Sequence, residues 1–302
     1  MRLRHASGLE TLTIVVPEAA VPAYEAAMQT VCGTVGIFLD DDTGLWHVEG
    51  VRDRFAREDE LTAGLALAGL VTGVAAEVAR RETPAEGWLA RSYQGFPEQL
   101  VGRRFAIRGT HLAGSAPAGR RLLVLDAGIA FGSGEHGSTR GCLRALERVA
   151  FLRPQRILDL GTGSGVLAMA AATLLHRPVL GSDIEPWSVR VAAQNARLNR
   201  LGRGIRFVLG NGWRSPAVRA GAPYDLVFAN ILARPLCLMA ADLGRRMAPG
   251  GTVILAGLLG SQRRQVLAAH RRQGLVLWFA LHEGSWTTLV LRKPTSSQPI
   301  EM

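Results

Sequence analysis

The chain has 302 residues, 48% of them hydrophobic and 20% charged, with a formal net charge of +10. That balance excludes an intrinsically disordered chain, and the length leaves room for two domains with buried cores. The charge is almost wholly arginine, since Lys293 is the only lysine; the arginines are scattered without a basic block, so they read first as arginine-rich codon usage, and direct nucleic-acid binding is not indicated.

Thr11–Val16 reads as a strand closed by Pro17. Val21–Val31 reads as a helix with Pro22 in its first turn, where a missing N–H costs little. Val35–Leu39 and Leu45–Val51 are strand-like on either side of the turn-forming Asp40-Asp41-Asp42-Thr43-Gly44. Glu58–Leu70 predicts a second helix and Val74–Arg81 a last strand, or else a Gly-rich extension of that helix. The order β-α-β-β-α-β suggests a small ferredoxin-like α+β domain over residues 1–90. Residues 91–120 read as a connector, with one strand at Arg104–Arg108.

From Arg121 the rhythm changes. Leu122–Leu125 is an apolar run; Arg156–Leu160, Val179–Ser182, Ile205–Leu209, Leu226–Ala229 and Thr252–Ala256 are strand-like, as are Val276–Leu281 and Thr287–Leu291. Helices are predicted over Ser138–Val149, Gly165–Leu174, Trp187–Asn199, Pro235–Met247 and Ser261–Gln273. Such alternation implies a mostly parallel sheet covered on both faces. The tight link His282-Glu283-Gly284-Ser285 leaves no room for a helix, so the final strand should be antiparallel. The fold class expected is thus α/β, with a seven-stranded sheet of the class I methyltransferase layout over residues 121–294 and a loose tail over 295–302.

Cys32, Cys142 and Cys237 are too few and too far apart for a disulfide framework or a metal site, which fits a reducing cytoplasm. The start of the chain carries no apolar run of the secretory kind, and Leu61–Ala79 is broken by Gly64, Gly69, Gly73 and Glu77, so no membrane span is expected.

Four stretches carry chemistry. Ile157-Leu-Asp159-Leu-Gly161-Thr-Gly163-Ser-Gly165 is an apolar strand, a Gly-rich turn and a helix start. Ligands of open α/β sheets sit beyond the carboxyl ends of the strands, and glycines there let the backbone press against a ligand. The G-x-G-x-G spacing, with Asp159 before it, suits the amino-acid part of S-adenosylmethionine better than a pyrophosphate, whose turn is G-x-G-x-x-G. Asp159 or the turn carbonyls could accept from the ligand's ammonium.

Asp183 stands at the tip of the next strand, where an acid can accept from both ribose hydroxyls; alone it could equally start the following helix. Asn230, in Asn230-Ile-Leu-Ala233, ends the strand after which the methyl group should lie, and its carbonyl could orient an amine; an Asx-turn is the plainer alternative. Finally, Asp126–His136 is a Gly-rich loop running into Ser138 and Thr139 at a helix start, which can bind a carboxylate or simply cap the helix.

Together these stretches resemble the PrmA family of ribosomal protein L-eleven methyltransferases. In the loop, Asp126, Gly128, Ala130, Phe131, Gly132, Gly134, His136 and Thr139 match the family pattern, while Ala127, Ser133, Gly137 and Ser138 depart from it. Asn230-Ile-Leu-Ala233 matches as it stands. The similarity is strong over Trp88–Arg292; over Met1–Arg81 only length and element order agree. The resemblance implies S-adenosylmethionine as cofactor, with Thr139, Gly161, Gly163, Asp183 and Asn230 at cofactor-binding positions. It also implies ribosomal protein L-eleven as substrate, methylated on its α-amine and lysine side chains and held by the N-terminal domain. No general base is nominated: His136 reads as a ring that ties its loop together. The competing readings are a lysine methyltransferase of the electron-transfer-flavoprotein type, a non-catalytic S-adenosylmethionine-binding protein, and an NAD-linked oxidoreductase, the last disfavoured by the glycine spacing.

Overall fold

A computed structural model describes residues 9–32, 34–40, 43–83, 98–110, 112–125 and 137–295. They fall into two compact units, Met1–Arg91 and Ser92–Met302.

The first unit runs β1 (Leu9–Val16), α1 (Val21–Val31), β2 (Thr34–Leu39), β3 (Trp46–Asp53), α2 (Glu58–Thr72) and β4 (Val78–Thr83). The sheet order is β2-β3-β1-β4 and every pairing is antiparallel, which is the ferredoxin-like arrangement expected. In α1, Val21, Tyr24, Met28 and Val31 recur at helical spacing and are buried. Each large apolar side chain of that kind contributes about 1.5–3 kcal/mol when withdrawn from water. Beneath them, Leu12, Ile14 and Val16 alternate inward from β1. The helix α2 ends at Gly73, whose φ of +69° makes the left-handed cap, so the Gly-rich stretch stops the helix and the last strand begins four residues later than predicted.

The second unit opens with a three-stranded sheet of β5 (Gln99–Val101), β6 (Phe105–Gly109) and β7 (Arg121–Leu125). The sequence predicts β6 as a strand and marks Leu122–Leu125 of β7 only as an apolar run; β5 carries no signal there. Then come α3 (Gly137–Val149), β8 (Ile157–Leu160), α4 (Val166–Leu175), β9 (Val179–Asp183), α5 (Pro186–Leu198), β10 (Ile205–Leu209), α6 (Pro216–Ala220), β11 (Tyr224–Asn230), α7 (Ala233–Arg246), β12 (Met247–Leu259), α8 (Arg263–Arg271), β13 (Val276–Glu283) and β14 (Trp286–Arg292). The seven-stranded sheet has the order β10-β9-β8-β11-β12-β14-β13. Its first five strands are parallel, and β14 runs antiparallel to both its neighbours. This is the class I methyltransferase sheet.

Alternation along each strand builds two cores. Ile157, Phe228, Ile254 and Val290 face Cys142, Leu143 and Leu146 of α3 and Met169 of α4. Leu158, Leu160, Val227, Val253 and Leu289 face Leu236 and Leu243 of α7 and Val266 of α8. Because both faces are covered, β8 is buried at all four positions and reads as a continuous apolar run. The registers also define two edges. Ile157, Val179, Ile205, Leu226, Thr252 and Arg292 stand in one row, and Leu160, Ser182, Ala229 and Asn230 lie towards the other.

Candidate functional site

All five residues singled out in the sequence lie at the carboxyl edge of the parallel strands or on the helix covering it. The turn after β8 is shaped by the backbone: Gly161, Gly163 and Gly165 have φ of +68°, +53° and +82°, a region that suits glycine. The N–H groups of Gly161 and Thr162 both donate to the Ser182 carbonyl, at 2.8 and 3.0 Å, which fastens the turn to the end of β9. The sequence reading explained Gly161 by close approach of a ligand. Among the described residues, however, a Cβ there would meet Cγ2 of Ile231 at 2.3 Å, so the chain itself already forbids a side chain.

Asp183 serves the turn as well. Its Oδ2 accepts from Gly163 N–H at 2.8 Å and its Oδ1 from Glu185 N–H at 3.0 Å. The carboxylate is 8% exposed. Burial pushes its pKa above the ordinary range, against the pull of the N–H groups of Glu185, Gly163 and Ile184. The position that starts α5 is Glu185, and no side chain caps it, so Asp183 bridges the two strand-end turns rather than capping the helix. Glu185 is itself raised, first by burial and then by the charge of Asp183.

Asp159 lies deeper, with 1% of its surface exposed. One oxygen, Oδ2, accepts from Thr162 Oγ1 at 2.7 Å and from Ala168 N–H at 3.1 Å. The other, Oδ1, has no partner among the described residues. Burial is the main cause that pushes its pKa up to about 7; the two hydrogen bonds oppose the rise and Asp183 adds to it.

The second polar focus joins α3 to β11. Asn230 Nδ2 donates to Thr139 Oγ1 at 3.3 Å, and Thr139 is fully buried. Oδ1 of Asn230 is buried and has no partner among the described residues. Asn230 therefore makes a long-range contact instead of an Asx-turn, and it presents an open acceptor. Asp159 pairs with Phe228 across β8 and β11, so Asp159 and Asn230 project on the same face of the sheet, two strand positions apart. That face is the one covered by α3 and α4.

The structure joins Gly163 to Asp183 and Thr139 to Asn230 by direct hydrogen bonds. Sequence reasoning missed two supports. Ile231 wedges against Gly161, and its backbone packs so closely on Gly257 of β12 that a Cβ at Gly257 would lie 2.5 Å from the Ile231 carbonyl oxygen. Gly257 falls where the β12–β14 register shifts, a bulge that single-strand patterning does not reveal. The residues Asp126–His136, including the matched loop and His136, lie outside the described residues, as does Trp88.

Comparison with known proteins bears on this site. A family model described as ribosomal protein L11 methyltransferase (PrmA) matches residues 14–294. A protein named ribosomal protein L11 methyltransferase from Caulobacter sp. (strain K31) is 42% identical over 256 residues, covering 84% of this chain and 86% of that protein. One of the same name from Rhizobium meliloti (strain 1021) is 43% identical over 256 residues, covering 84% and 87%. Among solved structures, the ribosomal protein L11 methylase from Lactobacillus delbrueckii subsp. bulgaricus aligns with a TM-score of 0.60 at 28% identity, over 66% of this chain and all of that one. The chain belongs to the PrmA family of methyltransferases, with S-adenosylmethionine as its methyl donor.

Proposed function

We propose that this enzyme methylates amino groups of ribosomal protein L11, at lysine side chains, at the N-terminal amine, or at both. The observation that carries the amine reading is the buried Oδ1 of Asn230 at the end of β11, which has no partner among the described residues. An unpaired buried acceptor costs about 1–3 kcal/mol, and a substrate N–H recovers that cost only when bound. The name shared by relatives matching more than four-fifths of the chain supports the protein substrate.

The residues fit the donor. S-adenosylmethionine supplies a methyl group on a positively charged sulfur, so no protein nucleophile is needed. In our reading, Gly161 and Gly163 line the turn that faces its amino-acid part, with Asp159 Oδ1 as an open acceptor for the ammonium. Asp183 accepts from ribose hydroxyls with the lone pairs that Gly163 and Glu185 leave free. Thr139 holds the Asn230 amide so that its oxygen points at the incoming amine. The remaining tasks are to align a neutral amine behind the methyl group and to keep water out. A lysine must lose its proton first, and withdrawal from water favours that loss.

The first unit would hold the protein substrate. Leu67, Leu70 and Val71 of α2 are 62%, 83% and 72% exposed, apolar surface of the kind that marks a protein contact. No described helix is long and apolar enough to cross a membrane, and a ribosomal-protein substrate supports a cytoplasmic enzyme. The test is transfer of radiolabelled methyl from S-adenosylmethionine to purified L11, with the labelled residues mapped by mass spectrometry. Label on lysine or α-amino nitrogen is expected. A chain that consumes the donor with other acceptors but leaves L11 unlabelled would overturn the substrate.

A further inference from the structure

We propose that the amino edge of the catalytic sheet, opposite the methyl-transfer site, is a docking surface for single-stranded RNA. It lies in the row marked by Ile157, Thr252 and Arg292, whereas Asn230 ends the other row. The seven residues of β11, at about 3.3 Å per residue, put roughly 20 Å between the two edges. The surface therefore belongs to neither the cofactor turn nor the amine pocket.

Aromatic rings and guanidinium groups interleave there. Phe151 is 69% exposed and Trp278 is 39% exposed, with ring centroids 6.2 Å apart in an edge-on arrangement. The Arg292 guanidinium lies 5.1 Å from the centroid of Trp278, and Arg148 lies 5.5 Å from that of Phe279, which in turn abuts Trp278. Beside Phe151 opens a groove of about 450 Å³ lined by Arg104, Glu147, Arg153, Leu174 and Arg177. That volume falls in the range of roughly 300–1,000 Å³ typical of ligand pockets. None of Arg104, Arg148, Arg153, Arg177 and Arg292 forms an ion pair among the described residues. The nearby carboxylates are already engaged with backbone: Glu147 accepts from the N–H groups of Arg103 and Arg104, and Asp225 from those of Gln155 and Arg156.

Five guanidinium groups without an ion pair among the described residues, one of which (Arg292) also donates to the Gly250 carbonyl, surround the exposed rings of Phe151 and Trp278 and match a polyanion whose subunits carry flat faces. Single strands bind proteins in this way, with bases on aromatic rings and phosphates on arginine. An acidic peptide offers the charge without the faces, and duplex RNA keeps its bases stacked on each other. The choice of RNA over DNA rests on the ribosomal-protein reading above; the stacking and charge argument does not. In sequence these arginines are spread from 104 to 292, which is why no basic block announced them.

The test uses the full chain and a fluorescently labelled 12-nucleotide single-stranded RNA, read by anisotropy. At about 0.7 released counterions per contacted phosphate, five contacts predict roughly a hundredfold weaker binding at 200 mM than at 50 mM salt. Phe151→Ala, at an exposed position, should weaken binding about tenfold. The double change Arg153→Glu with Arg177→Glu should weaken it further and flatten the salt dependence. All variants should keep their affinity for S-adenosylmethionine, which reports that they are folded. Wild-type RNA affinity in Phe151→Ala would overturn the proposal, as would equal competition by duplex RNA or by polyglutamate. Failure of L11 methylation would leave this result untouched, because the two assays share no reactant.

Discussion

Both units bury charge, and two of these buried sites treat it in opposite ways. In the first unit Glu10 and Arg52 are 3% and 4% exposed, and they satisfy each other. Arg52 Nε donates to Glu10 Oε1 at 2.8 Å, Phe55 N–H joins the same oxygen at 2.9 Å, and Arg52 also reaches Glu58 and the Ala56 carbonyl. In the second unit Arg108 is likewise matched by Glu98, but Asp159 has no counter-ion and one bare oxygen among the described residues. A buried charge that the chain neutralises itself holds the fold. One left without a partner raises the energy of the empty protein and stands ready for a ligand that carries the missing donor.

Breaking the closed pair should have the largest effect. Arg52→Ala leaves Glu10 buried with only Arg80, 4.0 Å away, as a cation, and a broken buried pair costs about 3–5 kcal/mol. Hydrogen exchange should show β1 and β3 losing protection while the seven-stranded sheet keeps it. Unchanged protection in β1 would mean that the pair does not hold the first unit together.

Neutralising the open carboxylate should act in the other direction. Below about pH 4 Asp159 is protonated whether folded or not. From its ordinary 3.8 up to about 7 the folded form keeps a proton that the unfolded chain has lost, so stability falls as the pH rises through that window and levels off above it. The gap corresponds to roughly 4 kcal/mol at most. Asp159→Asn should remove this slope, as read from denaturant midpoints between pH 4.5 and 8. It should also bind S-adenosylmethionine more weakly at pH 8, where the wild-type carboxylate is ionised. A slope that persists in the variant would assign it to another group.

Asp183 lies between the two extremes, being buried yet supplied with N–H donors. Asp183→Ala should weaken S-adenosylmethionine binding by more than about tenfold, on the order of 2 kcal/mol, because it removes the proposed ribose contact and frees the Gly163 N–H. Calorimetry on the folded variant decides this. The smallest expected change concerns the boundary: a chain starting at Ser92 should bind S-adenosylmethionine within about twofold of the full chain, yet lose methylation of intact L11. Full activity of that fragment on L11 would remove the proposed role of the first unit.

These expectations also mark how far the sequence could be read. α1 was legible to the residue, since Pro17 closes the strand, Pro22 opens the helix, and the buried positions keep a helical period. The alternation of βα units made the sheet legible, and the short His282–Ser285 link gave the direction of β14. The strand β5 was not legible, because three residues hold no period and acquire their pairing only from β6. Nor was the start of β12, where Met247 pairs with Tyr224 ahead of a Pro-Gly-Gly that reads as a turn. At the site, the residue types were visible but their partners were not. Thr139 and Asn230 are 91 positions apart, and no local pattern says that one hydroxyl orients the other's amide. Gly161 is singled out in the sequence for close approach of a ligand, whereas among the described residues the crowding there comes from Ile231.

The insertion of β14 between β12 and β13 bears on how the protein is made. The first unit closes its sheet by Thr83, so it can fold while most of the chain is still being synthesised. The catalytic sheet cannot close in the same way. Until Trp286–Arg292 has left the ribosome, β12 presents a long apolar edge to solvent, and β13 has no strand to join. A premature stop a few codons upstream would remove an interior strand of the sheet and leave that edge open to pairing with other chains. These seven residues thus decide between a closed catalytic sheet and an aggregation-prone one.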